Sequence, residues 1–300
     1  MNRSCRIALP LLVACGVVAC GGSNPPPAGP PQDQTLARYQ EAGHIAYDLD
    51  RPQEAVRQFE EALRQAEARD DLAAIAELSF NLAVAQLRAN APEDALATTT
   101  RIRAELGRRG TTPAPALLLA EATALYRTND AKAADALAGE IEAAADRDVA
   151  AGASFLRGLI GDETGNADSL QAAHQRLSGA NTPIRIADRQ ELEARLALRQ
   201  NDPARARSAA VQSANTRQEI LDYRGMARSL SVAGRAAAQA GDNEAAADFY
   251  LRAGRSAAAQ GDATTARPWL QRTRELSRDP AIDEAAERAL ATLSSPSTAP

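Results

Sequence analysis

The chain has 300 residues, enough for one large domain or two ordinary ones. Apolar residues make up 45% but aromatics only 3%, so alanine builds the interior and helices have to pack closely. With 34 basic against 39 acidic residues and a net charge of -5, no basic stripe for nucleic acid is present. The three cysteines are Cys5, Cys15 and Cys20, and none follows, which excludes disulfides, zinc-thiolate sites and cysteine nucleophiles from the remainder. Taken in order, the chain opens with Arg3 and Arg6 and then an apolar run from Ile7 to Ala19. That run is too short to cross a bilayer core of roughly 30 Å as a helix. Residues 1–19 therefore read as a secretory signal.

The run ends in Val17-Val18-Ala19-Cys20, which resembles the lipobox of bacterial lipoproteins. The resemblance implies cleavage before Cys20, a diacylglycerol on its thiol and an acyl chain on its new amine, which together anchor stably. Leu12-Val13-Ala14-Cys15 fits the same pattern with a shorter apolar run, and an ordinary secreted protein with an incidental cysteine is the bland alternative. Gly21 stands where the family places aspartate to retain a protein at the inner membrane. The resemblance thus implies a lipid-anchored, periplasm-facing protein of the outer membrane, or a membrane-anchored extracytoplasmic one where the host has a single membrane. The resemblance makes Cys20 the lipidated residue at the head of a Pro/Gly-rich linker that runs to residue 34. In polyproline II, at about 3.1 Å per residue, that linker reaches roughly 40 Å.

Residues 35–293 carry nearly continuous helical periodicity, and residues 294–300 read as a disordered tail. The breaks are Asp50-Arg51-Pro52, Asn90-Ala91-Pro92, Asn129-Asp130, Gly165-Asn166, Asn201-Asp202-Pro203, Gly241-Asp242 and Gly261-Asp262, with longer ones near 107–115 and 178–183. Pro52, Pro92 and Pro203 fall at first helical positions, where no hydrogen bond is lost. Asp50, Asp130, Asp202, Asp242 and Asp262 read as helix caps. From Asp50 to Gly241 the breaks recur at a near-regular step of roughly 36–40 residues, the period of stacked helix pairs. The last step, from Gly241 to Gly261, is about half as long. This predicts single helices stacking one by one at the C-terminal end, with the helix from Glu244 to Ala259 serving two neighbours.

The units resemble tetratricopeptide (TPR) repeats. Gly43, Asp50, Ala55, Phe59 and Ala62 match the pattern in the first unit; Gly234, Gly241, Ala246, Tyr250 and Ala253 match it in the sixth. Gly254, Gly261, Ala266 and Leu270 give a looser seventh. Middle units depart, with Leu170 for an alanine and His174 and Thr99 for aromatics. The resemblance implies an all-α, TPR-like α-solenoid of about 6–7 helical hairpins, with small residues for close helix approach and large ones filling between hairpins. An irregular alanine-rich bundle is the alternative.

No phosphate loop, HExxH, GxSxG or paired Cys/His spacing occurs, and no nucleophile has a base partner, so the chain reads as no enzyme, without cofactor or metal. Acidic pairs such as Glu60-Glu61 and Asp70-Asp71 read as solvated faces and caps, and His44 and His174 as structural. The resemblance does imply a concave face lined by the first helix of each pair. Its register offers Gln40, His44, Tyr47, Phe80, Leu87, Tyr126 and Phe155 in one half, and Asp188, Glu191, Arg195, Arg199, Arg228, Arg235 and Arg255 in the other. Aromatics and arginines are favoured at binding hot spots, although Phe80, Leu87 and Phe155 equally suit packing between hairpins. The expected function is an envelope scaffold of the kind that pilotins, barrel-assembly components and cell-wall-enzyme regulators represent, holding a partner segment apolar at one end and acidic at the other. The alternative is a periplasm-facing protein that binds a small ligand or glycan.

Overall fold

The turns between helices share one construction, and it sets the architecture. The structure, a computed structural model, describes residues 33–293; the expected signal segment, Cys20, most of the expected linker and residues 294–300 lie outside the described residues. Fourteen α-helices follow one another among the described residues: α1 (Gln34–Asp48), α2 (Pro52–Ala68), α3 (Leu72–Arg88), α4 (Pro92–Arg108), α5 (Pro115–Arg127), α6 (Ala131–Ala144) and α7 (Arg147–Thr164). Then come α8 (Ala167–Arg176), a 3-10 turn (Leu177–Gly179), α9 (Pro183–Arg199), α10 (Pro203–Glu219), α11 (Tyr223–Gln239), α12 (Asn243–Ala259), α13 (Ala263–Leu276) and α14 (Pro280–Thr292).

Ten turn residues take a positive φ: Asp50, Asp70, Asn90, Gly110, Asn129, Gly165, Asn201, Leu221, Gly241 and Gly261. In nine of these turns the next residue donates its N–H to the carbonyl five positions earlier, as from Asp71 to Ala66 O (3.1 Å) and Asp242 to Ala237 O (3.0 Å). That bond closes the outgoing helix in a Schellman motif. In most turns the same residue then caps the incoming helix: the carboxylates of Asp71, Asp130, Asp202, Asp222, Asp242 and Asp262 each accept from a backbone N–H three residues on. One residue therefore satisfies the orphan groups of two helices.

Asp50 departs from the expected capping role. It occupies the left-handed position itself and pairs with Arg88 at 3.0 Å, while Arg51 precedes α2 and makes no side-chain cap. The short step between Gly241 and Gly261 is also not confined to the end of the array. Left-handed residues recur at that same interval from Asp50 to Gly110 and from Asn201 to Gly261, so it is the length of one helix plus its turn throughout both stretches. The turns at Asp70 and Leu221 escape a search for glycine and asparagine because aspartate and leucine take the left-handed residue's place there. The α6–α7 junction lacks a left-handed residue altogether and opens through extended Ala145.

From α2 to α14 each helix packs on its neighbours in sequence, and α1 meets α2 where Gly43 faces Phe59, giving seven successive pairs. The small-residue rule holds inside the pairs, where a Cβ on Gly43 would stand 2.6 Å from the Phe59 ring and one on Gly234 3.1 Å from Tyr250, and also between the last two pairs, where one on Gly254 would stand 2.6 Å from Leu270. Phe59 thus fills the space within its own hairpin as well as adjoining Leu63, Leu78 and Leu82 of the N-terminal core. In the C-terminal half the interior narrows to alanine, with Ala194, Ala197, Ala206, Ala210, Ala233 and Ala236 all buried between α9, α10 and α11. No helix among the described residues is long and apolar enough to cross a membrane.

Candidate functional site

The odd-numbered helices α1 to α11 turn one face into a common cavity of about 1810 Å³, joined at its rim by the ends of α2, α12, α13 and α14. Tyr47, Leu87, Leu119, Tyr126 and Phe155 form an apolar wall, and Arg185, Arg195, Arg228 and Arg235 face it from α9 and α11. The periodicity of the helices creates this division: a residue 3 or 4 positions along shares the face, so Arg228 and Arg235, a double turn apart, emerge together. A smaller recess of about 490 Å³ continues past Asp162 and is bordered by Arg199, Arg235, Gln239, Tyr250 and Arg272.

Behind the arginine wall lies a buried ion network. Glu191, wholly buried, accepts from Arg195 (2.9 Å), Arg217 (3.1 Å) and both Nε (2.7 Å) and Nη2 (3.0 Å) of Arg228. Arg217 also donates to Asp188 at 2.7 Å and to Asp222 at 2.5 Å. Asp162 receives Arg195 (2.8 Å), Arg199 (3.0 Å) and Arg235 (3.2 Å). Burial alone raises a carboxyl's pKa. The fields of Arg228, Arg195 and Arg217 override it at Glu191 and hold that group far below the ordinary carboxylate range. Arg195 and Arg235 do the same for Asp162 against its burial. Arg217 and Arg228 lie 5.4 and 5.2 Å from the Phe155 ring centroid, which adds a cation–π contact to each. Tyr126 donates its hydroxyl to Glu163, and burial, then that carboxylate, push its phenol above the ordinary value.

The two arms of the solenoid meet at one seam. The Asn90 side chain, in the α3–α4 turn, donates to Gly261 O at 3.4 Å, 171 residues away. Its amide oxygen accepts from Arg127 of α5 (2.5 Å) and lies 3.5 Å from Arg224 of α11.

The residues singled out from sequence fall in three groups. Tyr47, Leu87, Tyr126, Phe155, Arg195, Arg228 and Arg235 line the large cavity, and Arg199 the recess. Asp188, Glu191 and Arg195 are buried and bonded within the ion network: Asp188 accepts from Arg185 and Arg217, Glu191 from Arg195, Arg217 and Arg228, and Arg195 donates to Asp162 as well. Gln40, His44, Phe80 and Arg255 stand outside the cavity's lining. Gln40 donates to Glu77, His44 meets the Phe59 ring edge-on at 5.2 Å, Phe80 packs in the core, and Arg255 is exposed. Sequence reasoning passed over Arg127, Asp162, Arg217 and Arg224. Only Arg217 left a sequence signal, as the one basic residue in the last turn of α10. Among the described residues no group of three His, Cys, Asp or Glu side chains is placed to hold a metal ion.

A crystal structure of a tetratricopeptide repeat protein from Parabacteroides merdae is similar over 88% of this chain and 100% of that one, at 14% identity and a TM-score of 0.50. The fold is a TPR-like solenoid. BtubC from P. vanneervenii resembles it over 72% of this chain and 94% of its own, at 14% identity and a TM-score of 0.42. The TPR2AB domain of yeast Sti1, solved with a pHSP90 partner, gives 15% identity, 87% and 98% coverage and a TM-score of 0.33. No protein-family model and no curated protein matches the chain.

Proposed function

We propose that this protein is a non-enzymatic scaffold of the bacterial envelope, held to the membrane by a lipidated Cys20 and its proline-rich linker, that grips a segment of a protein partner in the concave face. The observation that carries this reading is the cavity itself: odd-numbered helices alone supply its long walls, aromatic and aliphatic on one side and arginine on the other. A segment with apolar residues toward Tyr47, Leu87 and Tyr126 and acidic residues toward Arg199, Arg228 and Arg235 matches both walls.

A photo-crosslinking residue at Tyr126 or Arg235, compared with one at exposed Arg101 on α4, tests the face directly. The expected outcome is one partner band at the first two positions and none at Arg101; equal labelling at all three refutes a concave-face site. Fractionation of a Cys20→Ala variant tests the anchor. The variant moves to the soluble envelope fraction, and continued membrane association refutes lipidation at that residue. The contact between Asn90 and Gly261 partly encloses the cavity and favours a second reading, a small-ligand protein, although Trp269 is the chain's only tryptophan and offers little platform for a sugar.

A further inference from the structure

Arg127 stands out from the other arginines of the cavity. Both of its hydrogen-bond acceptors are neutral: it donates to Leu87 O and to Asn90 Oδ1, each at 2.5 Å, and no carboxylate lies within ion-pairing distance of it among the described residues. Arg195, Arg228 and Arg235 each have such a partner. Burial, and after it the nearby charge of Arg224, pull its pKa down to about 10. Arg224 is only partly neutralised. Its Nη1 reaches Asp262 at 2.5 Å, while its Nη2 is buried without any hydrogen-bond partner. Both guanidinium groups converge on the single amide oxygen of Asn90, at 2.5 and 3.5 Å. A buried donor without a partner costs free energy, and two like charges sharing one neutral acceptor repel. A carboxylate cures both faults: it offers two oxygens in place of one, and its charge-assisted bonds are about twice as strong as neutral ones.

We infer that Arg127 and Arg224 form a carboxylate-binding site at the seam, where the ligand takes the place of the Asn90 amide oxygen and ties α5 to α11 across the cavity. The two arginines are far apart in sequence, so the site exists only because the solenoid curls back on itself. It is a feature of the closed arrangement and not of any single repeat. The inference goes beyond the scaffold reading and does not depend on it. The carboxylate belongs either to a free small acid or to an acidic side chain of a bound segment.

Isothermal titration of the purified full chain at low ionic strength, with glutarate and separately with a capped peptide carrying one glutamate between leucines, distinguishes the sources. Saturable binding of glutarate assigns a free acid, and binding of the peptide alone assigns a side chain. Whichever binds, Arg127→Gln and Arg224→Gln each weaken it at least tenfold, about 1.4 kcal/mol. Asn90→Asp supplies a carboxylate from within the chain, so it abolishes binding while leaving both arginines in place. That loss distinguishes a site from a merely structural cluster, and it remains informative if an arginine variant folds poorly. Failure of both probes to bind the parent chain, or binding that survives Arg127→Gln or Asn90→Asp, overturns the proposal. Crosslinking at Tyr126 is unaffected by either result, so the scaffold reading stands or falls separately.

Discussion

Replacing Glu191 with glutamine removes one charge from the centre of the ion network and leaves shape and volume nearly unchanged. Four hydrogen bonds from three guanidinium groups converge on this carboxylate, between 2.7 and 3.1 Å. A bond to a charged group contributes about 1.5–3 kcal/mol and a neutral one about 0.5–1.5 kcal/mol. Losing the charge therefore weakens each arginine contact by about 1 kcal/mol, or about 3 kcal/mol over the three. This agrees with the roughly 3–5 kcal/mol typical of breaking a buried pair from one side. Against a total stability of about 5–15 kcal/mol, the loss is large. Urea unfolding followed both by circular dichroism and by the single tryptophan, Trp269, measures it at two places in the array. Glu60→Gln, at an exposed position on α2, is the control. The folded pKa of Glu191 is depressed, so its contribution is fully present above the unfolded value of about 4.3 and is lost only as pH falls through the folded one. The difference between the parent chain and Glu191→Gln should accordingly be constant from about pH 5 to about pH 8. A loss under about 1 kcal/mol, or one no larger than in the control, refutes the view that the network is held together at Glu191.

Two further outcomes are expected. Gly43→Ala drives a Cβ to 2.6 Å from the Phe59 ring and lowers stability by about 1–3 kcal/mol, whereas Gly107→Ala, with nothing within 4 Å, raises it by up to about 1 kcal/mol; thermal melts showing the same sign for both refute the close-approach argument. Burial holds the folded pKa of His174 below its ordinary value, so stability is full above about pH 6.5 and falls as acid protonates the unfolded state first. His174→Gln removes that part of the decline between about pH 7 and about pH 5, and a urea midpoint that follows pH as before refutes it.

Legibility in the sequence followed the range of the interactions. Where glycine or asparagine takes the left-handed residue and aspartate the cap, the turn is a local chemical statement, and Asn129-Asp130 or Gly241-Asp242 can be read without a structure. Leu221 hides its turn because nothing local favours leucine at a φ of 60°, a conformation costly for a branched side chain. Arg228 and Arg235 could be placed on the concave face because the resemblance to tetratricopeptide repeats supplies a groove register, and helical spacing carries that register locally. The burial of Arg195 could not, because its second partner, Asp162, lies on another helix 33 residues away. Arg127 and Arg224 were beyond reach altogether, since their meeting depends on the summed curvature of the helices between them.

The double-duty turn residue has a consequence for how such a chain can grow. Because the residue that closes one helix also opens the next, a helix with its turn is a self-contained cassette, and inserting one disturbs no capping bond. Facing alternates from cassette to cassette, however, and only odd helices look inward along the cavity's length. A single duplicated cassette would turn every downstream helix inside out, sending Arg228 and Arg235 to the outer surface, whereas a duplicated pair would preserve both faces. Lengthening or shortening of this array is therefore restricted to even steps, a parity imposed by geometry on a chain whose joints are locally indifferent to it.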